Sequence, residues 1–179
     1  MTPAWIERVM QIPGFMEPEE LAWLRERAAE VESVVEVGCW YGRSAAALTV
    51  GCPTGRVWTV DHFQGSPSEL DAAHAEARTV DIHARAREYL APYGTRIIAD
   101  TSIRASRLFP PASVDLVFLD GEHTRDAVMG DLLAWGPKAR RLLCGHDLNW
   151  DGVAQALALY GAPYECGPGS LWFVEMVGR

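Results

Sequence analysis

The chain has 179 residues, a formal charge of −8 and four cysteines without CxxC spacing. This length fits one domain and leaves no room for a separate substrate domain, and the negative charge argues against nucleic acid or an anionic membrane as a partner. No stretch has the length of a signal-peptide core or a membrane span, and the cysteines resemble buried free thiols, so we expect a cytoplasmic protein.

The chain is expected to form a single domain over residues 1–179, with a helical cover at 1–30 and the cofactor-binding and catalytic core at 31–179. Residues 1–16 indicate a short helix and a turn. The pattern leaves open whether they form a lid or a surface for a partner such as a second copy. A helical stripe from Pro18 to about Glu30 is typical of a packing helix.

The segment from Val34 to Leu48, VVEVGCWYGRSAAAL, predicts a strand, a glycine turn and a helix. Gly38 permits a backbone conformation that a side chain would forbid, and Gly42 lets the chain pass close to a bound ligand. Ser44 is a candidate cap for the helix. A strand end that meets a helix N-terminus is where open α/β sheets bind ligands.

The two residues Trp40 and Tyr41 fill the part of this turn where a dinucleotide fingerprint has a third glycine. They therefore argue against a pyrophosphate. A ligand with an ammonium and a carboxylate suits the turn, because Glu36 would face the ammonium and the helix N-terminus the carboxylate. S-adenosylmethionine is such a cofactor. The alternative is an ordinary βα turn of any α/β protein.

A second strand, Arg56 to Asp61, ends about twenty residues beyond the glycine turn, where nucleoside-binding sheets carry an acidic ribose ligand. We predict this role for Asp61, with His62 beside it; capping of the next turn is the alternative. The alanine-rich stretch from Glu69 to Tyr93 predicts one long helix with a buried face. Its two histidines lack the spacing of metal ligands.

A third strand, Arg96 to Ala99, precedes Asp100, Thr101 and Ser102 at the start of another helix. Small polar side chains after a strand can hydrogen-bond an adenine edge, and they are also ordinary N-caps. Both interpretations can hold together.

The remaining chain continues the alternation of strands and helices. This order predicts a parallel sheet with helices on both faces, closed by a hairpin. The predicted elements are a buried strand at 114–119, a helix at 124–135, a strand at 140–144, a helix at 153–160, and hairpin strands at 164–166 and 171–177.

As a set, EVGCWYGRS, VDHFQGS, ADTS, VDLVFLDGEHTRDAVMGDL and GHDLNWDGV resemble class I S-adenosylmethionine-dependent methyltransferases. Within that class they are most similar to the compact branch with macrocin-type sugar O-methyltransferases and cephalosporin-hydroxylase-like proteins. The likeness covers roughly residues 12–177. It implies a Rossmann-like three-layer α/β sandwich with a mostly parallel seven-stranded sheet and an antiparallel last strand.

The resemblance also implies that Glu36, Gly38 and Gly42 lie on the methionine-binding loop, with Asp61 at the ribose. It places residues 100–102 near the adenine. We expect the complete cofactor site to contain Glu36, Gly38, Trp40, Gly42, Ser44, Asp61, His62, Asp100, Thr101, Ser102 and Asp120.

Asp120 and Asp147 follow neighbouring predicted strands, and two carboxylates at adjacent strand ends suit Mg²⁺. The enzymes that the chain resembles tend to have a second acid where this chain has His146. Histidine is a softer ligand, so weak Mg²⁺ binding, another divalent cation, or no metal at all are open alternatives. The predicted metal ligands are Asp120, His146 and Asp147; the alternative for Asp120 is a structural anchor.

Glu122, or alternatively His123, is the candidate base that removes a proton from the acceptor hydroxyl. Acids near a helix N-terminus are also favoured by the helix dipole alone. The leading hypothesis is O-methylation of a small hydroxylated molecule, which is the expected partner. A non-catalytic S-adenosylmethionine-binding module and a nicotinamide-dependent oxidoreductase are the alternatives.

Overall fold

The computed structural model describes residues 3–66 and 75–176, which form a seven-stranded sheet between two layers of helices. The strand order is β3-β2-β1-β4-β5-β7-β6. Neighbours from β3 to β5 run parallel, and β7 runs antiparallel to both β5 and β6. The expected α/β fold is confirmed. The strands are β1 Val34–Val37, β2 Val57–Asp61, β3 Arg96–Ala99, β4 Val114–Leu119, β5 Ala139–Gly145, β6 Glu165–Cys166 and β7 Trp172–Glu175.

The helices follow the strands as the alternation predicts, and short 3₁₀ turns at Ser106–Leu108 and Gly136–Lys138 extend two of them. Within the described residues the helices are α1 Ala4–Val9, α2 Pro18–Ala29, α3 Arg43–Gly51, α4 Ile82–Leu90, α5 Ser102–Ala105, α6 Arg125–Trp135 and α7 Asp151–Tyr160.

Two apolar clusters cover the two faces of the sheet. One joins helices α1 to α4 to the sheet, and the other joins α5, α6 and α7 to it. All six residues of β4 are buried because this central strand is covered on both faces. Alternation along β1 directs Val34 and Glu36 towards the same face, the one covered by α1 to α4.

The predicted continuous helix from Glu69 to Tyr93 is wrong in its described part. Turn residues 77–80 interrupt it, and α4 begins only at Ile82. The carboxylate of Asp81 accepts a hydrogen bond from the Ala84 amide at 2.9 Å and so caps a new helix. Residues 67–74, which include His74, lie outside the described part of the chain. His83 stacks on Phe63 with 4.7 Å between ring centroids.

Three of the four cysteines are buried, as expected, whereas Cys166 on β6 is exposed. All four are free thiols. In residues 3–66 and 75–176, no helix combines the length and apolar character that crossing a membrane requires.

Candidate functional site

A cavity of about 670 Å³ opens at the carboxyl ends of strands β1 to β5. Strand order reverses between β1 and β4, which are neighbours in the sheet although they are distant in sequence. Ligands in open α/β sheets bind at such a switch point. The loops after these strands, the first turns of α5 and α6, and residues 13–16 supply its walls.

The glycine turn brings the chain against two other elements. Gly38 has φ +95°, and a Cβ there would lie 1.9 Å from the carbonyl oxygen of Asp120. Gly42 also has φ +95°, but a Cβ there would lie 2.7 Å from Leu90 of α4. Gly42 does not line the cavity, so the expectation that it opens space for a ligand is corrected: it makes room for α4.

Ser44 lies within α3 and is buried against the cavity wall. The helix has Gly42 at its N-cap position, without a capping side chain. The prediction that Ser44 caps α3 is therefore wrong, although its position beside the cavity agrees with a cofactor-binding role.

Aromatic side chains form one rim of the cavity. Trp40 contacts Phe15 with ring centroids 6.4 Å apart, and Phe15 is 70% exposed. Tyr41 points away into the core, where its hydroxyl donates a hydrogen bond to Glu76 at 2.8 Å. The rim on this side is therefore built by Trp40 and by the N-terminal segment that carries Phe15.

Glu36 is fully buried and does not line the cavity. Its carboxyl accepts a hydrogen bond from Thr59. Burial raises the pKa of Glu36 to about 8, although the hydroxyls of Ser44 and Thr59 act in the opposite direction. The strand directs the side chain into the layer between β1 and α3. The carboxyl therefore does not reach the cavity surface, where the predicted contact with an ammonium would be made.

Asp61 lines the cavity, but its carboxylate already holds the surrounding backbone. One oxygen accepts hydrogen bonds from the amides of Cys39 and Trp40 at 2.9 and 3.0 Å, and the other accepts one from the amide of Phe63 at 2.7 Å. A carboxylate has about four acceptor positions, so one remains for a ribose hydroxyl. His62 lines the cavity beside it, with Nδ1 accepting from the Gln64 amide.

Only two of the three residues predicted near an adenine reach the cavity. Thr101 and Ser102 line it, whereas Asp100 does not. The carboxylate of Asp100 instead accepts a hydrogen bond from the Thr101 amide at 2.8 Å and lies 3.4 Å from Arg104. Asp100 therefore shapes the start of α5, and its contact with a cofactor stays a prediction.

The predicted metal ligands Asp120, His146 and Asp147 come together, with one donor atom of each within 4.8 Å of the others. His146 Nδ1 lies 3.1 Å from Asp147 and 3.6 Å from Asp120. On the opposite side of the ring, Nε2 lies 2.9 Å from Glu20 of α2 and 2.9 Å from the Ser170 hydroxyl.

The ionisable groups in this cluster strongly shift one another's pKa values. Burial acts to lower the pKa of His146, but the carboxylates of Asp147, Asp120 and Glu20 outweigh it and raise the pKa to about 10. Burial also raises the pKa of Asp120 to about 6. For Asp147, hydrogen bonds from His123 and His146 outweigh burial and hold the pKa well below its usual range.

The donor set of this cluster fits a divalent cation. Two carboxylates and one imidazole nitrogen converge, and the other imidazole nitrogen faces Glu20. A metal-binding histidine usually has its second nitrogen held by a carboxylate in this way. A cation would take the place of the proton on Nδ1 of His146.

Both candidate bases line the cavity, and they face different neighbours. His123 Nε2 lies 2.8 Å from Asp147, and its ring stacks on Trp150 with 4.7 Å between centroids. Glu122 accepts a hydrogen bond from the Thr124 hydroxyl at 3.0 Å, and its charge acts on Asp131. Because Nε2 of His123 faces Asp147 and its Nδ1 is buried, Glu122 is the better placed of the two candidate bases.

Two residues at the site were not predicted from the sequence. Glu20 belongs to α2, outside the expected core, yet its side chain is 6% exposed and bonded to His146. Its spacing of four and eight residues from Leu24 and Ala28 could have revealed it, because these positions share one helix face. Asp131 of α6 also lines the cavity. No comparable pattern in the sequence points to Asp131.

Three non-glycine residues at the cavity adopt left-handed backbone conformations. They are Trp40, Phe63 and Asp147, with φ values of 50°, 59° and 58°. Such conformations are unfavourable for residues with a side chain and concentrate at functional sites.

A family model described as a methyltransferase domain matches residues 35–147, which is more than half of the chain. The uncharacterized protein y4gI of Sinorhizobium fredii is 27% identical over 194 residues. That alignment covers 93% of this chain, and the chain spans only 21% of the length of that relative.

Solved methyltransferase structures share the fold at low sequence identity. A SAM-dependent O-methyltransferase from Thermotoga maritima aligns with a TM-score of 0.66 and 16% identity over 99% of this chain and 72% of its own. The O-methyltransferase from Bacillus cereus in complex with SAH gives 0.64 and 15%, over 98% and 92%. The SAH-bound methyltransferase of Podospora anserina gives 0.66 and 16%, over 96% and 87%. The chain therefore belongs to the methyltransferase domain family.

Proposed function

We propose that the chain transfers the methyl group of S-adenosylmethionine to a hydroxyl of a small molecule. The observation that carries the proposal is that one cavity contains both the glycine turn and the cluster of Asp120, His123, His146 and Asp147. The O-methyltransferases among the structural relatives support the choice of oxygen as the acceptor atom.

In this reaction the acceptor oxygen attacks the methyl carbon of the sulfonium. The new C–O bond forms as the C–S bond breaks. The electron pair of the C–S bond stays on sulfur, so the second product is S-adenosylhomocysteine. Glu122, which lines the cavity, takes the hydroxyl proton, and His123 stays paired with Asp147 at 2.8 Å. Trp150 holds the ring of His123 by stacking.

We further propose that Asp120, His146 and Asp147 hold a divalent cation. A bound cation would lower the pKa of the acceptor hydroxyl and orient it. Glu20 positions His146 for this role through the hydrogen bond at Nε2. Titration calorimetry with Mg²⁺ and Mn²⁺ on the wild type and on Asp147→Asn tests the site. We expect binding only to the wild type, and equal heats for both proteins would overturn the metal assignment.

Cofactor binding is tested by calorimetric titration with S-adenosylmethionine, S-adenosylhomocysteine and NAD. We expect the two sulfur compounds to bind and NAD not to. Binding of NAD without either sulfur compound would instead support an oxidoreductase.

The reaction is tested by a methyl-transfer screen across sugars, catechols and hydroxylated natural products, with and without Mg²⁺. For an accepted substrate, Glu122→Gln should lower kcat by about 100-fold, the usual size of a general-base contribution. His123→Gln should lower it less, because both ring nitrogens of His123 face the protein. Full activity of the Glu122 variant would remove Glu122 from the mechanism, and cofactor binding without turnover of any acceptor would support a non-catalytic module.

A further inference from the structure

One end of the cavity lies between the first turn of α5 and the middle of α6. Thr101, Ser102 and Ile103 line it on one side, and Ala127, Gly130 and Asp131 on the other. A Cβ on Gly130 would lie 3.7 Å from the Ile103 side chain, so the two helices close together here. The polar residues that follow β3, which the sequence predicts to lie near the adenine of the cofactor, are at this end of the cavity.

The polar groups at this end are unequally available to a ligand. The hydroxyl of Ser102 donates to Asp131 Oδ1 and accepts a hydrogen bond from the Trp135 indole at 2.8 Å. Its donor is thus used within the protein, and the buried ring of Trp135 fixes its position. Ser102 acts as a support for Asp131.

The second carboxyl oxygen of Asp131 is not used in this way. Among the described residues, Oδ2 of Asp131 accepts no hydrogen bond, and it lies 3.5 Å from the position of a Cβ on Gly121, another cavity-lining residue. Asp131 is only 9% exposed. Because Asp131 lines the cavity and its Oδ2 is not used within the described protein, this oxygen is available to accept a hydrogen bond from a ligand.

We propose that Asp131 recognises the 6-amino edge of the adenine base of the bound cofactor, with Oδ2 accepting a hydrogen bond from the amino group. This inference rests on the proposed function. In this proposal Asp131 hydrogen-bonds the base in place of Ser102 and Asp100. Burial raises the pKa of Asp131 to about 6, which agrees with a carboxyl group that has little contact with water.

The chemistry predicts discrimination between purines. A 6-oxo group in place of the 6-amino group removes the donor and presents lone pairs to the carboxyl oxygen of Asp131. A site built to hydrogen-bond one ligand group rejects an analogue that lacks it. An asparagine at this position can offer either an amide oxygen or an amide N–H, so it should no longer distinguish the two groups.

The experiment compares the calorimetric affinities of S-adenosylhomocysteine and S-inosylhomocysteine for the wild type, Asp131→Asn and Asp126→Asn. Asp126 is the matched control, because it lies on the same helix and lines the same cavity with an 84% exposed side chain. We expect the wild type and Asp126→Asn to prefer the adenosyl compound by about 10-fold or more, and Asp131→Asn to lower the preference to within about 3-fold.

The outcomes separate this inference from the proposed function. Tight binding of S-adenosylhomocysteine with an unchanged preference in Asp131→Asn would overturn the role of Asp131 and leave the proposed function intact. Equal affinity of the wild type for both compounds would do the same. Failure of the wild type to bind S-adenosylhomocysteine would overturn both.

Discussion

Glu36 shows how strongly position changes the chemistry of a residue. The glycine-turn motif suggested a charged carboxylate that faces a ligand, but the side chain is fully buried between the sheet and α3. Desolvation disfavours the charged form of a buried carboxyl group. Glu36 is therefore mostly neutral at pH 7, with a pKa of about 8.

The stability of the protein should fall with increasing pH because of Glu36. Its pKa is raised on folding from 4.5 to about 8, so its stabilising contribution is complete below about pH 4.5 and is lost as the pH rises through 8. Glu36→Gln has no such loss. The difference in free energy of unfolding between Glu36→Gln and the wild type should therefore change in favour of the variant by on the order of 1 kcal/mol per pH unit between pH 5 and 8. Urea unfolding at several pH values measures this.

The control for Glu36 is Glu175→Gln on β7, where the side chain is exposed. It should follow the wild type at every pH. If the difference in free energy of unfolding between Glu36→Gln and the wild type does not change with pH, the raised pKa of Glu36 is contradicted.

Gly38 is the second residue whose role depends on a single close approach. Gly38→Ala should destabilise the fold by about 3 kcal/mol or more, because its Cβ would collide with the Asp120 backbone and its φ is left-handed. Gly55→Ala is the matched control: φ is +62°, but nothing lies within 4 Å of the added Cβ, so a cost of about 1 kcal/mol from the backbone alone is expected. Equal costs in denaturant unfolding would show that the contact with Asp120 is unimportant.

At the scale of elements, the N-terminal segment is a wall of the site as well as a cover. Arg43 of α3 donates hydrogen bonds to the carbonyls of Ile12 and Met16 at 2.7 and 3.1 Å, which holds the loop that carries Phe15 against the cavity. From α2, Glu20 reaches His146 and the Ser170 amide. Hydrogen bonds from Glu20 thus join this segment to the cluster of Asp120, His146 and Asp147.

Glu20→Gln should weaken divalent-cation binding by about 10-fold or more, the usual effect of removing the carboxylate that orients a metal-binding histidine. Glu19→Gln, one position earlier on the exposed face of α2, should leave it unchanged. Calorimetric titration with Mn²⁺ measures both. Equal affinities for the two variants would mean that Glu20 has a purely structural role.

Elements whose signals are local could be predicted from the sequence. The glycine turn, the strand ends that carry Asp61, Asp120 and Asp147, and the closing hairpin follow from periodicity and from turn residues. The break before α4 was missed because Asp81, a good N-cap, stands inside an alanine-rich pattern that continues on both sides. The role of Gly42 and the bond from Glu20 to His146 depend on partners from distant elements, which a single sequence does not reveal.

At the scale of the whole molecule, the negative charge of the chain is concentrated at its cavity. Among the described lining residues, six carboxyl groups oppose two cations, the guanidinium of Arg43 and the imidazolium of His146; the carboxyl groups belong to Asp61, Asp120, Glu122, Asp126, Asp131 and Asp147. Such a lining attracts cations and repels anions before any specific contact forms. An acceptor that is neutral or positively charged is therefore favoured over a phosphorylated one.

The same charge should distinguish the cofactor from its product, because S-adenosylmethionine has a net positive charge and S-adenosylhomocysteine has none. Raising NaCl from about 50 to about 500 mM should weaken binding of the cofactor several-fold more than binding of the product, since salt screens the attraction. Calorimetry at the two salt concentrations gives both affinities. Parallel salt dependence would show that the lining charges are neutralised by other means.

The left-handed backbone of Asp147 lowers the stability of the fold, at a residue whose carboxylate belongs to the candidate site. Glycine adopts this conformation without strain, so Asp147→Gly should be more stable than Asp147→Ala by about 1 kcal/mol, while both lose the carboxylate that faces His123 and His146. Thermal unfolding of the pair measures the difference. A directed-evolution experiment that rewarded only heat resistance would therefore accept glycine at this position and produce a more stable protein without the carboxylate of the proposed site.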